Sequence, residues 1–169
     1  MPERSGCAMR RTCVISVSGS RAGAGKTGLL QRLIPFLGHC AAVKARVQQG
    51  APLSVVAEHD ARTSRHKDTG RYLSAGARRA FLITGNPSDV LRAVKDIVAS
   101  GEFDVVAVES NALVADLGSD LSFFVRAEGQ LKQSAQACER LADVVVCRVS
   151  LGKKGTPCRA NRRPGCARH

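Results

Sequence analysis

The sequence predicts an α/β fold of three layers, with a mostly parallel sheet between helices, and three observations carry that prediction. Short apolar runs alternate with amphipathic segments of helical period from Cys13 to Arg148. Strands and helices in that order pair in parallel through right-handed crossovers. One run, Phe103-Asp-Val-Val-Ala-Val-Glu-Ser110, is apolar almost without interruption, as a strand covered on both faces requires. Finally, Gly19-Ser-Arg-Ala-Gly-Ala-Gly-Lys-Thr27 sits between an apolar run (Val14, Ile15, Val17) and a helical pattern, the setting of a phosphate-binding turn.

Taken in order, the first strand is the run around Val14–Val17. Leu29, Leu30, Leu33, Ile34 and Leu37 then recur at helical spacing, so a helix is predicted from Lys26 to Leu37, kinked late by Pro35 and stopped at Gly38. Residues 41–47 read as a short second strand containing Lys44. Residues 48–62 carry Gly50 and Pro52 and read as a loop with a short turn of helix or strand near 53–57. A helix over 65–75 ends at Gly76 and leads to a strand over 80–84 closed by Gly85. Asn86-Pro87-Ser88-Asp89 is a helix start, with Asn86 as N-cap and Pro87 at the first helical position, and Val90, Leu91, Val94, Ile97 and Val98 supply the buried stripe up to Gly101. After the apolar run ending at Glu109 come strands over 121–125 and 143–148. The helix between them places Leu131, Ala135, Cys138 and Leu141 on one face.

The chemistry expected of the loop follows from its residue types. Small residues let successive N–H groups turn onto an anion, the following helix aims its positive end at the same point, and a lysine adds a point charge. Gly23, Ala24, Gly25, Lys26, Thr27 and Gly28 are the candidate phosphate-binding residues, and Thr27, the hydroxyl directly after the lysine, is a candidate magnesium ligand. The strict pattern places its first glycine where this chain has Ser20, with Gly19 one step early. Such a loop in this setting predicts a P-loop NTPase-type fold. In a parallel sheet, ligands sit beyond the carboxyl ends of strands, which brings Glu109 near Lys26. An acid there holds magnesium, directly or through water, or positions a nucleophile, so Lys26 and Glu109 are the candidate catalytic residues and Glu109 a second candidate metal ligand. His59, His66, Asp60 and Asp68 form a polar cluster before the third strand, in a spacing that matches no metal template and suits a hydrophilic surface loop.

Charge and cysteines limit the alternatives. The net charge of +12 suggests nucleic acid, yet seven basic residues and no acid lie in 148–169, and residues 1–12 add a net of two, which leaves +3 for 13–147. The folded part is thus of ordinary charge, and nucleic acid is not its expected partner. With no Trp and one Tyr, Tyr72, the chain offers no evident stacking platform for bases. Seven cysteines show no C-x-x-C pair and no zinc spacing; Cys13, Cys138 and Cys147 fall at apolar positions, where a reduced thiol behaves as a small hydrophobe. No segment is long enough to cross a bilayer, so the expected compartment is the cytoplasm. The domain organisation predicted is a nucleotide-binding domain over 13–148, a flexible N-terminus over 1–12, and a disordered basic tail over 149–169, which reads either as a nucleic-acid arm or as an out-of-frame end.

Several motifs in order carry a family resemblance: Ala22-Gly-Ala-Gly-Lys-Thr27, Leu33-Ile-Pro-Phe-Leu37, and Lys67-Asp-Thr69 with Ala75-Gly-Ala77. Over about Val14 to Ser110 the chain resembles the molybdopterin-guanine dinucleotide biosynthesis protein B family. The resemblance implies GTP with Mg2+, a homodimer, a molybdopterin nucleotidyltransferase as partner, a role in molybdenum cofactor assembly with at most weak GTPase activity, and Asp68 as a further metal ligand. The chain departs from the family where Val43-Lys-Ala-Arg-Val47 replaces a His-rich stretch of which Lys44 survives, and where Ser110-Asn111 follows Glu109 in place of Gly and an aromatic. No Asn-Lys-x-Asp guanine-reading motif is present. The alternative readings are a P-loop kinase of small molecules, with ATP as nucleotide, and a nucleic-acid-binding module acting through its tails.

Overall fold

A computed structural model describes residues 11–129, 131 and 133–147; residues 1–10 of the predicted N-terminal segment and the basic tail lie outside them, while Arg11 and Thr12 of that segment donate to Asp120 and to the Phe103 carbonyl. The sheet has seven strands: β1 (Cys13–Gly19), β2 (Cys40–Val47), β3 (Ser54–Glu58), β4 (Arg79–Gly85), β5 (Val105–Glu109), β6 (Leu121–Arg126) and β7 (Val144–Cys147), in the order β3-β4-β2-β5-β1-β6-β7. All neighbours are parallel except the edge pair β3 and β4. The helices are α1 (Lys26–Leu33), α2 (Lys67–Ser74), α3 (Pro87–Ala99), α4 (Val114–Leu117) and α5 (Gln133–Leu141). This is the three-layer α/β class with a mostly parallel sheet that the alternation of elements predicts.

Period-two alternation divides the central strands between two cores. Ala42, Ala80 and Ala107 face the layer of α1 and α2, where Leu30, Ile34 and Tyr72 fill the space that the alanines leave. Val43, Phe81, Val106 and Val108 point the other way, onto Val90 and Val94 of α3 and Leu117 of α4. Large residues on one face and small ones on the other let α1 and α2 lie close to the sheet. A smaller cluster joins Val114, Phe124, Ala135 and Cys138 beneath α5.

Chain direction makes the ends of β1 and β5 a switch point. From β1 the chain crosses by α1 to β2, on the far side of β5, whereas from β5 it passes α4 to β6 on the opposite side of β1. The two connections diverge and leave a crevice at the carboxyl ends, where ligands of open α/β sheets bind.

Five details differ from the sequence reading. The first helix ends at Leu33 and continues as a 3-10 turn over Ile34–Phe36, because Pro35 cannot donate the next helical hydrogen bond. Of the short turn of helix or strand expected near 53–57, the structure has a strand, Ser54–Glu58, antiparallel at the sheet edge. Asn86 precedes α3 as predicted, but its side chain makes no cap hydrogen bond; its Oδ1 accepts the Gly50 N–H at 2.7 Å instead and holds the preceding loop. Leu141, predicted on the buried face of α5, is 52% exposed at the helix end, while Ala135 and Cys138 are buried as expected. The short α4 was not anticipated, since four residues carry no readable period.

Candidate phosphate and metal site

Glycine geometry builds the loop after β1. Gly23 (φ 75°) and Gly25 (φ 107°) are both left-handed, a conformation in which a side chain is strained, and Gly25 is the N-cap of α1. No side chain caps this end, and the first helical hydrogen bond runs from Leu29 N–H to the Gly25 carbonyl, so the N–H groups of Lys26, Thr27 and Gly28 have no intrahelical partner. They open into a cavity of about 500 Å³ lined by Ala22, Gly23, Gly25, Lys26, Thr27 and Gly28 on one side. Across it stand Lys44, Arg46, Asp68, Arg71 and Glu109.

Of the predicted phosphate-binding residues, Ala24 does not line this cavity. Its side chain is fully buried among Val17 and Leu30, where it seats the loop on the core, and its N–H closes a turn onto the Arg21 carbonyl at 3.3 Å. Lys26 is half-buried and donates from Nζ to the Arg21 carbonyl at 3.1 Å. Burial pushes its ammonium below the ordinary lysine range, with the Glu109 carboxylate opposing that shift.

The departure at Ser20 has a structural reason. A Cβ on Gly19 would come to 3.0 Å from the Val125 carbonyl oxygen and from Lys26 Cγ, so the position where a missing side chain permits the close approach is 19. Ser20 is buried, and its N–H and Oγ tie the loop to the end of β6, donating to the Val125 carbonyl and accepting the Ala127 N–H, each at 3.0 Å. Asn111 clamps the same turn to the end of β5: its Oδ1 accepts the Gly19 N–H at 2.9 Å and its Nδ2 donates to the Gly19 carbonyl at 2.7 Å.

Strand register brings the acid to the loop. Val17 of β1, Glu109 of β5 and Lys44 of β2 lie side by side across the sheet. Glu109 and Lys44 follow Ala107 and Ala42 by two residues, so both side chains project on the face of α1 and α2. Glu109 is only 2% exposed, and both carboxylate oxygens are engaged. Oε2 accepts the Thr27 hydroxyl at 2.7 Å and the Tyr72 hydroxyl; Oε1 takes the Lys44 ammonium. Lys44 also pairs with Asp68 at 3.2 Å, and Arg46 approaches the same carboxylate at 3.6 Å. Tyr72 is fully buried, and burial, with the adjacent Glu109 charge, pushes its phenol far above the usual range, so it remains a donor.

The helix that carries Asp68 and Tyr72 is anchored from β3. Glu58 accepts the hydroxyls of Ser64 (2.6 Å) and Thr69 and the Arg65 N–H at 2.9 Å. Burial pushes its carboxyl up, but these hydrogen bonds outweigh burial and hold it below the usual range. Asp60 accepts the Arg62 N–H and shapes the turn before α2. His59, Asp60 and His66 line neither cavity of the site, and among the described residues no group of three or more His, Cys, Asp or Glu could hold a metal by itself.

The structure thus brings together Gly23, Gly25, Lys26, Thr27, Gly28, Asp68 and Glu109. A second cavity of about 330 Å³ shares Ala22, Lys26, Lys44 and Glu109 with the first and extends toward Ser20, Ser110, Asn111 and Ala135. Sequence reasoning missed the roles of Tyr72 and Asn111, and saw Lys44 as a remnant of a motif. A signal for Lys44 was available: a lysine inside a strand apolar on both faces must find a buried partner.

No protein-family model matches the chain, and no curated protein does. Among solved structures it is similar to the kinase domain of the Escherichia coli tyrosine kinase ETK, with 14% identity and a TM-score of 0.48 over 89% of this chain and 73% of that one. No helix among the described residues is long and apolar enough to cross a membrane.

Proposed function

We propose that the chain is a P-loop nucleotide-binding protein that holds GTP with Mg2+ and acts in assembly of the molybdenum cofactor in its guanine dinucleotide form. The observation that carries the nucleotide reading is the paired left-handed turn at Gly23 and Gly25, which delivers the uncapped N-terminus of α1, Lys26 and the Thr27 hydroxyl to one cavity. Open N–H groups, a helix dipole and a lysine together fit the phosphates of a nucleotide.

The donor set also fits Mg2+, a hard cation that takes oxygen ligands and shares them with phosphates. Thr27 Oγ1 and Glu109 Oε2, 2.7 Å apart, would hold it, with Asp68 across the cavity. When bound, the ion supplies neutralisation of phosphate charge. The chain's own residues do the rest: Gly23, Gly25 and Gly28 keep the wall free of side chains, Lys26 attracts the phosphates, and Asn111 holds the loop in register with Glu109. Guanine preference, the cofactor pathway, the homodimer and a nucleotidyltransferase partner rest on the ordered motif resemblance.

Calorimetric titration with GTP and with ATP, each with and without Mg2+, tests the reading. Magnesium-dependent binding that favours GTP is expected. Equal affinity for ATP would remove the guanine assignment, and no binding of either would remove the function.

A further inference from the structure

Glu109 has three donors around it, and they are not equivalent. Thr27 is itself a candidate ligand of the divalent cation. Tyr72 is fully buried in the core beneath the site and cannot withdraw without opening a void. Lys44 is different: its side chain is long and unbranched, 15% exposed, and it lines both cavities of the site. Its ammonium lies between Glu109 and Asp68, bridging two carboxylates on opposite elements, β5 and α2. A positive charge between two acids, one of which Arg46 also approaches, beside the Thr27 hydroxyl occupies the electrostatic position that a divalent cation would take.

We infer that Lys44 is a resident counter-cation that competes with the divalent cation for Glu109 and couples metal binding to phosphate binding. In the nucleotide-free protein the lysine neutralises Glu109 and Asp68, so a divalent cation can use Glu109 only by displacing it. The displaced ammonium is left in cavities that Lys26 also lines, where two cations repel unless an anion lies between them. A polyphosphate in that cavity is such an anion. Metal alone therefore binds weakly, and metal with polyphosphate binds cooperatively, because the phosphates accept the ammonium that Glu109 gives up. The coupling rests on the nucleotide reading proposed above, whereas the competition does not.

The test uses Mn2+ as probe and the full chain without nucleotide, with free Mn2+ counted by its electron paramagnetic resonance signal. The parent is expected to bind weakly, Lys44→Met to bind about tenfold more tightly or better, and Lys44→Arg, which retains the charge, to resemble the parent. A Met variant that keeps the parent's circular dichroism but binds Mn2+ no more tightly overturns the inference, as does an Arg variant that binds as tightly as the Met variant. If Lys44→Met unfolds in metal-free buffer, millimolar Mn2+ should restore its spectrum by replacing the missing charge; failure to restore it overturns the inference equally. Loss of the nucleotide reading would show separately, as a parent that binds neither GTP nor ATP while the Mn2+ contrast persists.

Discussion

Removing one oxygen from the core, by Tyr72→Phe, isolates the support that the fold gives to Glu109. The ring is fully buried between the sheet and α1, and Phe keeps it, so the packing loss is confined to the hydroxyl. What disappears is a donor to Glu109 Oε2, which leaves that oxygen with Thr27 alone. A hydrogen bond to a charged group is worth about 1.5–3 kcal/mol, and a carboxylate this buried cannot recruit bulk water in exchange. With an unfolding entropy of about 2.1 cal/mol/K per residue over about 135 described residues, the loss corresponds to a melting temperature lower by about 5–11 °C.

Urea unfolding from pH 7 to pH 11 adds a check on sign. The Tyr72 phenol is raised in the folded protein above its ordinary value of 10.0, so the unfolded chain releases that proton first. Its contribution is fully present below pH 10 and declines as pH rises beyond it. The difference between parent and Phe variant should therefore be constant from pH 7 to about 9.5 and shrink above pH 10. A variant within about 0.5 kcal/mol of the parent, with no convergence at high pH, would refute the assignment of this hydroxyl as a buried donor to Glu109.

Three other outcomes follow from the same geometry. Ser20→Gly restores the glycine of the strict loop pattern yet should destabilise the protein by about 1–3 kcal/mol in urea titration, because the Ala127 N–H loses its buried acceptor. Lys26→Ala should weaken nucleotide binding by about 10–100-fold in calorimetry while the circular dichroism spectrum stays that of the parent, since the half-buried ammonium's hydrogen bond among the described residues is to the nearby Arg21 carbonyl. Glu109→Gln leaves Lys44 with Asp68 as its carboxylate partner and takes the charged acceptor from Thr27 and Tyr72, and should cost about 1.5–3 kcal/mol of stability. The same variant should lose more nucleotide affinity with Mg2+ than without it; equal losses would make Glu109 a structural carboxylate only.

Much of the fold was legible because the signals were local. The alternation of strand and helix patterns, the start at Asn86-Pro87 and the uninterrupted run before Glu109 each depend on a few neighbouring residues, and each reappears as an element. The candidate site was legible in part for the same reason: Gly23, Gly25, Lys26, Thr27 and Gly28 fall in one short stretch and line one cavity. Where the reading failed, the deciding contact came from far along the chain. Asn86 gives up its capping role to hold Gly50, and Ser20 looks like a defect until Ala127 is seen beside it. The four residues of α4 gave no period to read.

By itself, then, the sequence determined the α/β class, the positions of the loop and of the acid, and the residues of the candidate phosphate loop, since helical period, strand alternation and turn chemistry are properties of short segments. Only the tertiary structure decided what surrounds Glu109. Thr27, Lys44 and Tyr72 lie 82, 65 and 37 residues from it, and they meet because β2 and β1 flank β5 in a register that aligns Lys44, Glu109 and Val17 on the face that α1 and α2 cover. That register and the closeness of those helices follow from packing Ala42, Ala80 and Ala107 beneath Leu30 and Tyr72, a collective choice of the core that no single stretch encodes.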